Sequence, residues 1–126
     1  MGLDMYLKER KTGIELKYWR KANQIRRWFV DHIDEFDVDD NLEQYDVSKE
    51  LLEELKKDIE YVLSGETEDE RLDRAYETIP TSSGFFFGDT SYDEYYFDNL
   101  RYTLESLEEI LDEWQDWYEV YYTEWW

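Results

Sequence analysis

The chain has 126 residues, enough for one ordinary domain that buries roughly two-thirds of the surface of its unfolded form. It contains no cysteine, which excludes disulfides and thiolate metal sites and fits a reducing compartment. Against 14 lysines and arginines stand 34 acids, a formal charge of −20, while 41% apolar and 19% aromatic residues supply a core and argue against disorder.

The charge is unevenly spread. Residues 1–27 hold eight of the 14 basic residues against three acids, a net of +5, and the remainder carries −25. Such a field repels nucleic acid at long range and attracts basic partners, so no direct nucleic-acid partner is expected. The start, Met1-Gly2-Leu3-Asp4-Met5-Tyr6, lacks the basic and apolar regions of a signal peptide. Tyr6 stands where a myristoylation pattern needs Ser or Thr, and no stretch approaches a membrane span. These features predict a cytoplasmic protein with no membrane partner.

In chain order, Leu3, Met5 and Leu7 alternate with polar neighbours and predict a half-buried strand. Lys11-Thr12-Gly13 punctuates it, and Ile14-Glu15-Leu16 predicts a short second strand. From about Tyr18 the period changes, and Ala22, Ile25, Phe29 and Ile33 predict a helix over roughly 18–34. An acid-rich loop follows through Asp46, with a short edge strand around Gln44 to Val47. Ser48 caps a second predicted helix, Val47 and Leu52 have the spacing of a hydrophobic staple, and Leu51, Leu55, Ile59 and Val62 form its stripe. Gly65 can end it in a left-handed turn.

Leu72, Ala75, Tyr76 and Ile79 predict a shorter helix that Pro80 closes. After a loop to Asp89, Ser91 and Glu94 have capping-box spacing, and Phe97, Leu100, Leu104, Leu107, Leu111 and Trp114 predict the longest helix. Tyr118 to Glu124 reads as a strand that can join the N-terminal ones. The expected fold is α+β: one domain over 1–126, with three to four helices packed on a small sheet formed by the N- and C-terminal strands.

Catalytic constellations fail by subtraction. The one histidine, His32, falls at a predicted helix C-terminus, where its cationic form suits the helix dipole. No nucleophile elbow surrounds it, and Ser83-Gly84-Phe85-Phe86-Phe87-Gly88 lacks the lysine of a phosphate-binding loop. Asp37, Asp39 and Asp40 lack the calcium-loop pattern. No enzyme activity, cofactor or metal is expected.

What remains suits binding. On the first predicted helix, Arg20, Asn23 and Arg27 share a polar face at i, i+3 and i+7, with Trp19 and Lys21 beside them. Such a set can hold an anion while stacking a flat ring. The glycines flanking Phe85-Phe86-Phe87 permit close approach of a ligand or backbone, and Tyr92, Tyr95 and Tyr96 open the next helix. The candidate ligand-binding residues are therefore Trp19, Arg20, Lys21, Asn23 and Arg27 with Ser83, Gly84, Phe86, Phe87 and Tyr95. The structural alternative is that Arg20 and Arg27 pair with carboxylates and the phenylalanines fill the core.

Four blocks carry a resemblance. Met1 to Leu7, Tyr18-Trp19-Arg20-Lys21-Ala22-Asn23 with Trp28-Phe29-Val30-Asp31, Ser83 to Gly88 with Tyr92-Asp93-Glu94-Tyr95-Tyr96-Phe97, and the ending Tyr121-Tyr122-Thr123-Glu124-Trp125-Trp126 occur in that order. Over nearly the whole chain the sequence resembles a family of small, uncharacterised proteins encoded by bacteriophages and prophages. The resemblance implies a phage accessory protein in the cytoplasm of an infected bacterial host, and it assigns no activity or site residue. Such proteins often counter host defence, which gives two expectations. In the first, the chain is a non-catalytic sponge that sequesters a small anionic nucleotide-derived immune signal, with Trp19 and the phenylalanines stacking a base and Arg20, Lys21 and Arg27 meeting phosphates. In the alternative, it is an acidic inhibitor or nucleic-acid mimic that blocks a basic groove of a host nuclease or defence effector. Self-association is left open.

Overall fold

Sequence alternation and the β-forming pair Tyr18-Trp19 set the sheet. The computed structural model describes residues 2–83 and 88–126. In it β1 (Asp4–Glu9) and β2 (Glu15–Arg20) form an antiparallel hairpin, closed by Gly13 in the left-handed region at φ 73°. Helix α1 (Asn23–His32) follows, then β3 (Tyr45–Asp46), α2 (Lys49–Leu63), α3 (Glu68–Thr78), α4 (Glu94–Asp112) and β4 (Val120–Trp125). The strands form one antiparallel sheet in the order β2-β1-β4-β3, so both ends of the chain build its centre. The architecture is the expected α+β one.

One sheet face carries Leu3, Met5, Leu7, Trp19, Val120 and Tyr122, all buried. Phe29 of α1 stacks on Tyr122 with ring centres 4.5 Å apart, and Trp19 donates its indole N–H to Thr103 Oγ1 of α4 at 2.8 Å. At its inner end this face also buries Glu124, which takes the guanidinium of Arg26 from α1 at 2.8 Å. Helix α2 packs against both α3 and α4. The opposite sheet face stays accessible, with Tyr18 and Trp125 still 41% and 49% exposed. There the phenol of Tyr6 is raised above its usual value, by burial first and then by the carboxylates of Asp4 and Glu15.

The predicted helix over 18–34 is corrected at its start. Tyr18 to Arg20 belong to β2, because Trp19 pairs with Met5 and alternation, not helical spacing, buries its ring. Lys21 then turns the corner in the left-handed region at φ 56°, with its N–H on Leu3 O at 2.7 Å. Arg20, Asn23 and Arg27 therefore do not share a helical face. The N-cap of α4 is Asp93, whose Oδ1 accepts the Tyr96 N–H at 3.2 Å; Ser91 instead donates its N–H to Asp89.

Ser48 caps α2 as expected, and Val47 and Leu52 are both buried. Gly65 is not left-handed. A Cβ there would lie 2.8 Å from Arg71 Cγ and 2.9 Å from its backbone N, so the glycine serves close packing against the start of α3. On α3, Ala75 and Ile79 are buried while Tyr76 is 70% exposed, so the stripe is narrower than expected.

Glu9 at the end of β1 illustrates how the sheet holds a buried acid. Its carboxylate accepts the Thr12 N–H and hydroxyl at 2.8 and 2.9 Å and the Glu119 N–H at 2.9 Å, joining the hairpin turn to the chain entering β4. Burial pushes its pKa up, but these hydrogen bonds outweigh burial and lower it from 4.5 to about 2. A carboxyl depressed in the folded state contributes stability that is present above its unfolded pKa and lost as pH falls through the folded one. Glu9→Gln will therefore lower the melting temperature at neutral pH, and its deficit against wild type will shrink between about pH 4.5 and 2. A deficit that does not change with pH would show that the charge of Glu9 plays no part.

Candidate functional site

The corner between β2 and α1 meets the start of α4 around a cleft of about 250 Å³ lined by Arg20, Lys21, Gly88, Asp89, Asp93 and Tyr95. Gly88 lies against Lys21: a Cβ there would come within 3.1 Å of Lys21 Cβ. Arg20 and Lys21 are exposed, and Tyr95 is 85% exposed. Among the described residues, Arg20 is the one arginine whose side chain makes no hydrogen bond or ion pair; those of the other six each make at least one. Both carboxylates in the cleft are engaged locally. Hydrogen bonds from the Ser91 side chain and N–H hold the Asp89 pKa below its usual value, and Asp93 caps α4.

Among the described residues, the other predicted site residues do not line this cleft. Trp19 is 3% exposed, edge-on to Phe29 and hydrogen-bonded to Thr103, so its ring belongs to the core and offers no face for stacking a ligand. Asn23 is buried and spans the ends of the 82–89 segment: its Oδ1 accepts the Ser82 N–H and its Nδ2 donates to Asp89 O, each at 2.9 Å. Arg27 pairs with Asp31 at 3.3 Å and donates to Thr81 O at 3.4 Å. It faces a separate groove of about 820 Å³ with Asp58, Tyr76 and Tyr92. Ser83 is exposed. Gly84, Phe86 and Phe87, with Phe85 between them, lie outside the described residues.

A second feature was legible in the sequence only as an acid-rich loop. Between residues 34 and 46 stand seven acids and no lysine or arginine. All seven, Asp34, Glu35, Asp37, Asp39, Asp40, Glu43 and Asp46, are exposed, and among the described residues only Asp46 has an ion-pair partner, Arg10 at 3.1 Å. The backbone beneath them is fixed. Tyr45 accepts the Asp37 N–H at 2.9 Å and stacks on Phe36 at 4.2 Å, and Arg26 donates to Val38 O at 3.2 Å. Leu42 N–H bonds Glu124 O at 2.9 Å, and the Asn41 side chain pairs with both backbone groups of Trp126 at 2.7 and 2.9 Å. The loop borders a groove of about 720 Å³, and a further one of about 970 Å³ between α2 and α4 is lined by Glu50, Glu53, Glu54, Asp58, Glu108 and Asp112 together with three lysines.

His32 closes α1 structurally: its Nδ1 bonds Trp28 O at 2.7 Å and its ring stacks on Trp28 at 3.8 Å. Among the described residues no group of three or more His, Asp or Glu side chains is arranged to hold a metal ion, and no helix is long and apolar enough to cross a membrane. Comparison of the chain with models of protein families, with curated proteins and with solved structures gives no match.

Proposed function

We propose that this protein is a phage-encoded, non-catalytic inhibitor whose acidic loop occupies a basic groove of a host nuclease or defence effector. The observation that carries this reading is the 34–46 loop, with seven exposed carboxylates held on a backbone anchored to α1, β3 and β4. An anchored backbone loses little conformational freedom on binding, and a field of one sign steers a basic partner toward the loop. The phage setting rests on the resemblance of the four sequence blocks.

The test uses a host extract and a labelled DNA duplex. The purified protein will inhibit DNA binding or cleavage by basic host proteins, less strongly as salt is raised. Combined Asp34→Asn, Asp37→Asn and Asp40→Asn will weaken inhibition by about tenfold or more with an unchanged melting temperature. Absence of inhibition by the wild type, or equal inhibition by the triple variant, overturns the reading.

A nucleotide-sequestering role has a narrower footing in the partner-free Arg20 beside Lys21 and Tyr95 in the smaller cleft. On that reading a cyclic nucleotide or a cyclic ADP-ribose isomer raises the melting temperature, and Arg20→Lys weakens binding by losing bidentate geometry. Calorimetry showing no nucleotide bound more tightly than about millimolar removes it.

A further inference from the structure

Strand register places three rows of side chains on the accessible face of the sheet. Across β2, β1 and β4 they are Arg20, Asp4 and Trp125; then Tyr18, Tyr6 and Thr123; then Glu15, Lys8 and Tyr121. The irregularity between Leu7 and Lys8 brings Glu15, rather than Leu16, opposite Lys8. The four charged groups of these strands sum to zero on a chain of −20, and among the described residues none of them is in an ion pair; Asp46 of β3 extends the last row and is paired with Arg10 at 3.1 Å. In the middle row the hydroxyl of Thr123 is buried without a hydrogen-bond partner.

We propose that this face is a two-fold interface between two copies of the chain. An axis lying in the interface and crossing the strands at the Tyr6 row sets each strand over its own copy and reverses the order of the rows. Arg20 then lies over Glu15 of the second copy and Lys8 over Asp4 of the second copy, and each pairing occurs twice, as an isologous contact requires. Trp125 lies over Tyr121, and in the middle row Tyr6 meets Tyr6 and Tyr18 meets Tyr18. An axis along the strands instead sets Asp4 on Asp4 and Lys8 on Lys8, so charge selects the first arrangement. Charge also selects a second copy as occupant. Two molecules of −20 repel through their acidic helices and loop, whereas on this face the charges are balanced and complementary in place. A face roughly 20 Å long and three strands wide is smaller than the ~800 Å² per partner of a standard interface, so the dimer is weak and concentration-dependent.

Sedimentation velocity at physiological salt tests this, with dimer expected to accumulate between about 10 µM and 1 mM. Glu15→Arg and Arg20→Glu each replace attraction by repulsion at two places, and each will weaken dimerisation by about tenfold or more. The double variant restores both pairs with reversed polarity and will recover the dimer. Both positions are exposed, so folding is not at stake. Neither variant touches the 34–46 loop, and the measurement needs no ligand, so its outcome is independent of the inhibitor reading. A wild type monomeric up to about 1 mM, single variants that dimerise as well as wild type, or a double variant that stays monomeric each overturn the proposal.

Discussion

Glu124→Ala will cost about 3–5 kcal/mol of folding stability, the range seen when one member of a buried ion pair is removed. The Glu124 side chain is 1% exposed and that of Arg26 6%. Arg26 Nε donates to both carboxylate oxygens at 3.0 and 2.8 Å, the Tyr122 hydroxyl donates to Oε1 at 2.6 Å and the Trp126 indole N–H to Oε2 at 2.8 Å. Alanine leaves a guanidinium and two further donors facing a cavity, and a buried charge stripped of its counter-charge is the expensive part. Glu124→Gln with Arg26→Met can turn the amide oxygen to accept the Trp126 indole N–H and its NH2 to donate to the Tyr122 hydroxyl, and it removes the stranded charge, so the double variant will be more stable than Glu124→Ala. Chemical denaturation measures both. A loss below about 1 kcal/mol for Glu124→Ala would show that water replaces the pair without cost. Because Arg26 also holds Val38 O, the same change will loosen the acidic loop, seen as faster amide exchange around residue 38.

The sequence made β1, β3, β4 and three of the helices legible through local signals, among them alternation in β1 and β4, Ser48 before α2, and a long apolar spacing in α4. The β2–α1 boundary was not legible. Aromatic and cationic residues at 18–21 fit either a helix or a strand, and the deciding facts are pairing with Met5 and a left-handed Lys21. The candidate site was read in the same way. Arg20, Lys21 and Tyr95 do converge, but Trp19 found a partner in Thr103, 84 residues away, and Asn23 found two in the 82–89 segment. Polar residues satisfied by distant partners look like ligand-binding residues in a linear sequence. The acidic loop showed the converse. Its composition was plain, while its rigidity depends on Tyr45, Asn41 and Arg26 reaching groups that no periodicity reveals.

Leu107→Ala will destabilise the fold by about 2–5 kcal/mol, while Leu104→Ala will cost clearly less, although sequence spacing sets both on one stripe. The spacing from Phe97 through Leu104 to Trp114 predicts an apolar face, but the deepest positions of α4 are Tyr96, Leu100, Thr103, Leu107 and Ile110. Thr103 explains the offset. Read as polar it drops out of the stripe, yet it is fully buried with its hydroxyl bonded by the Trp19 indole and directed to Asn99 Oδ1 at 3.4 Å, which turns the helix toward it and leaves Leu104 half-buried. Leu107 has no exposed surface, so its truncation loses the full transfer energy and leaves a cavity, whereas the site of Leu104 is open to water on one side. Urea denaturation of the two variants measures the difference directly. Equal losses would return Leu104 to the core stripe and overturn the rotation of α4 on which the Trp19–Thr103 contact depends.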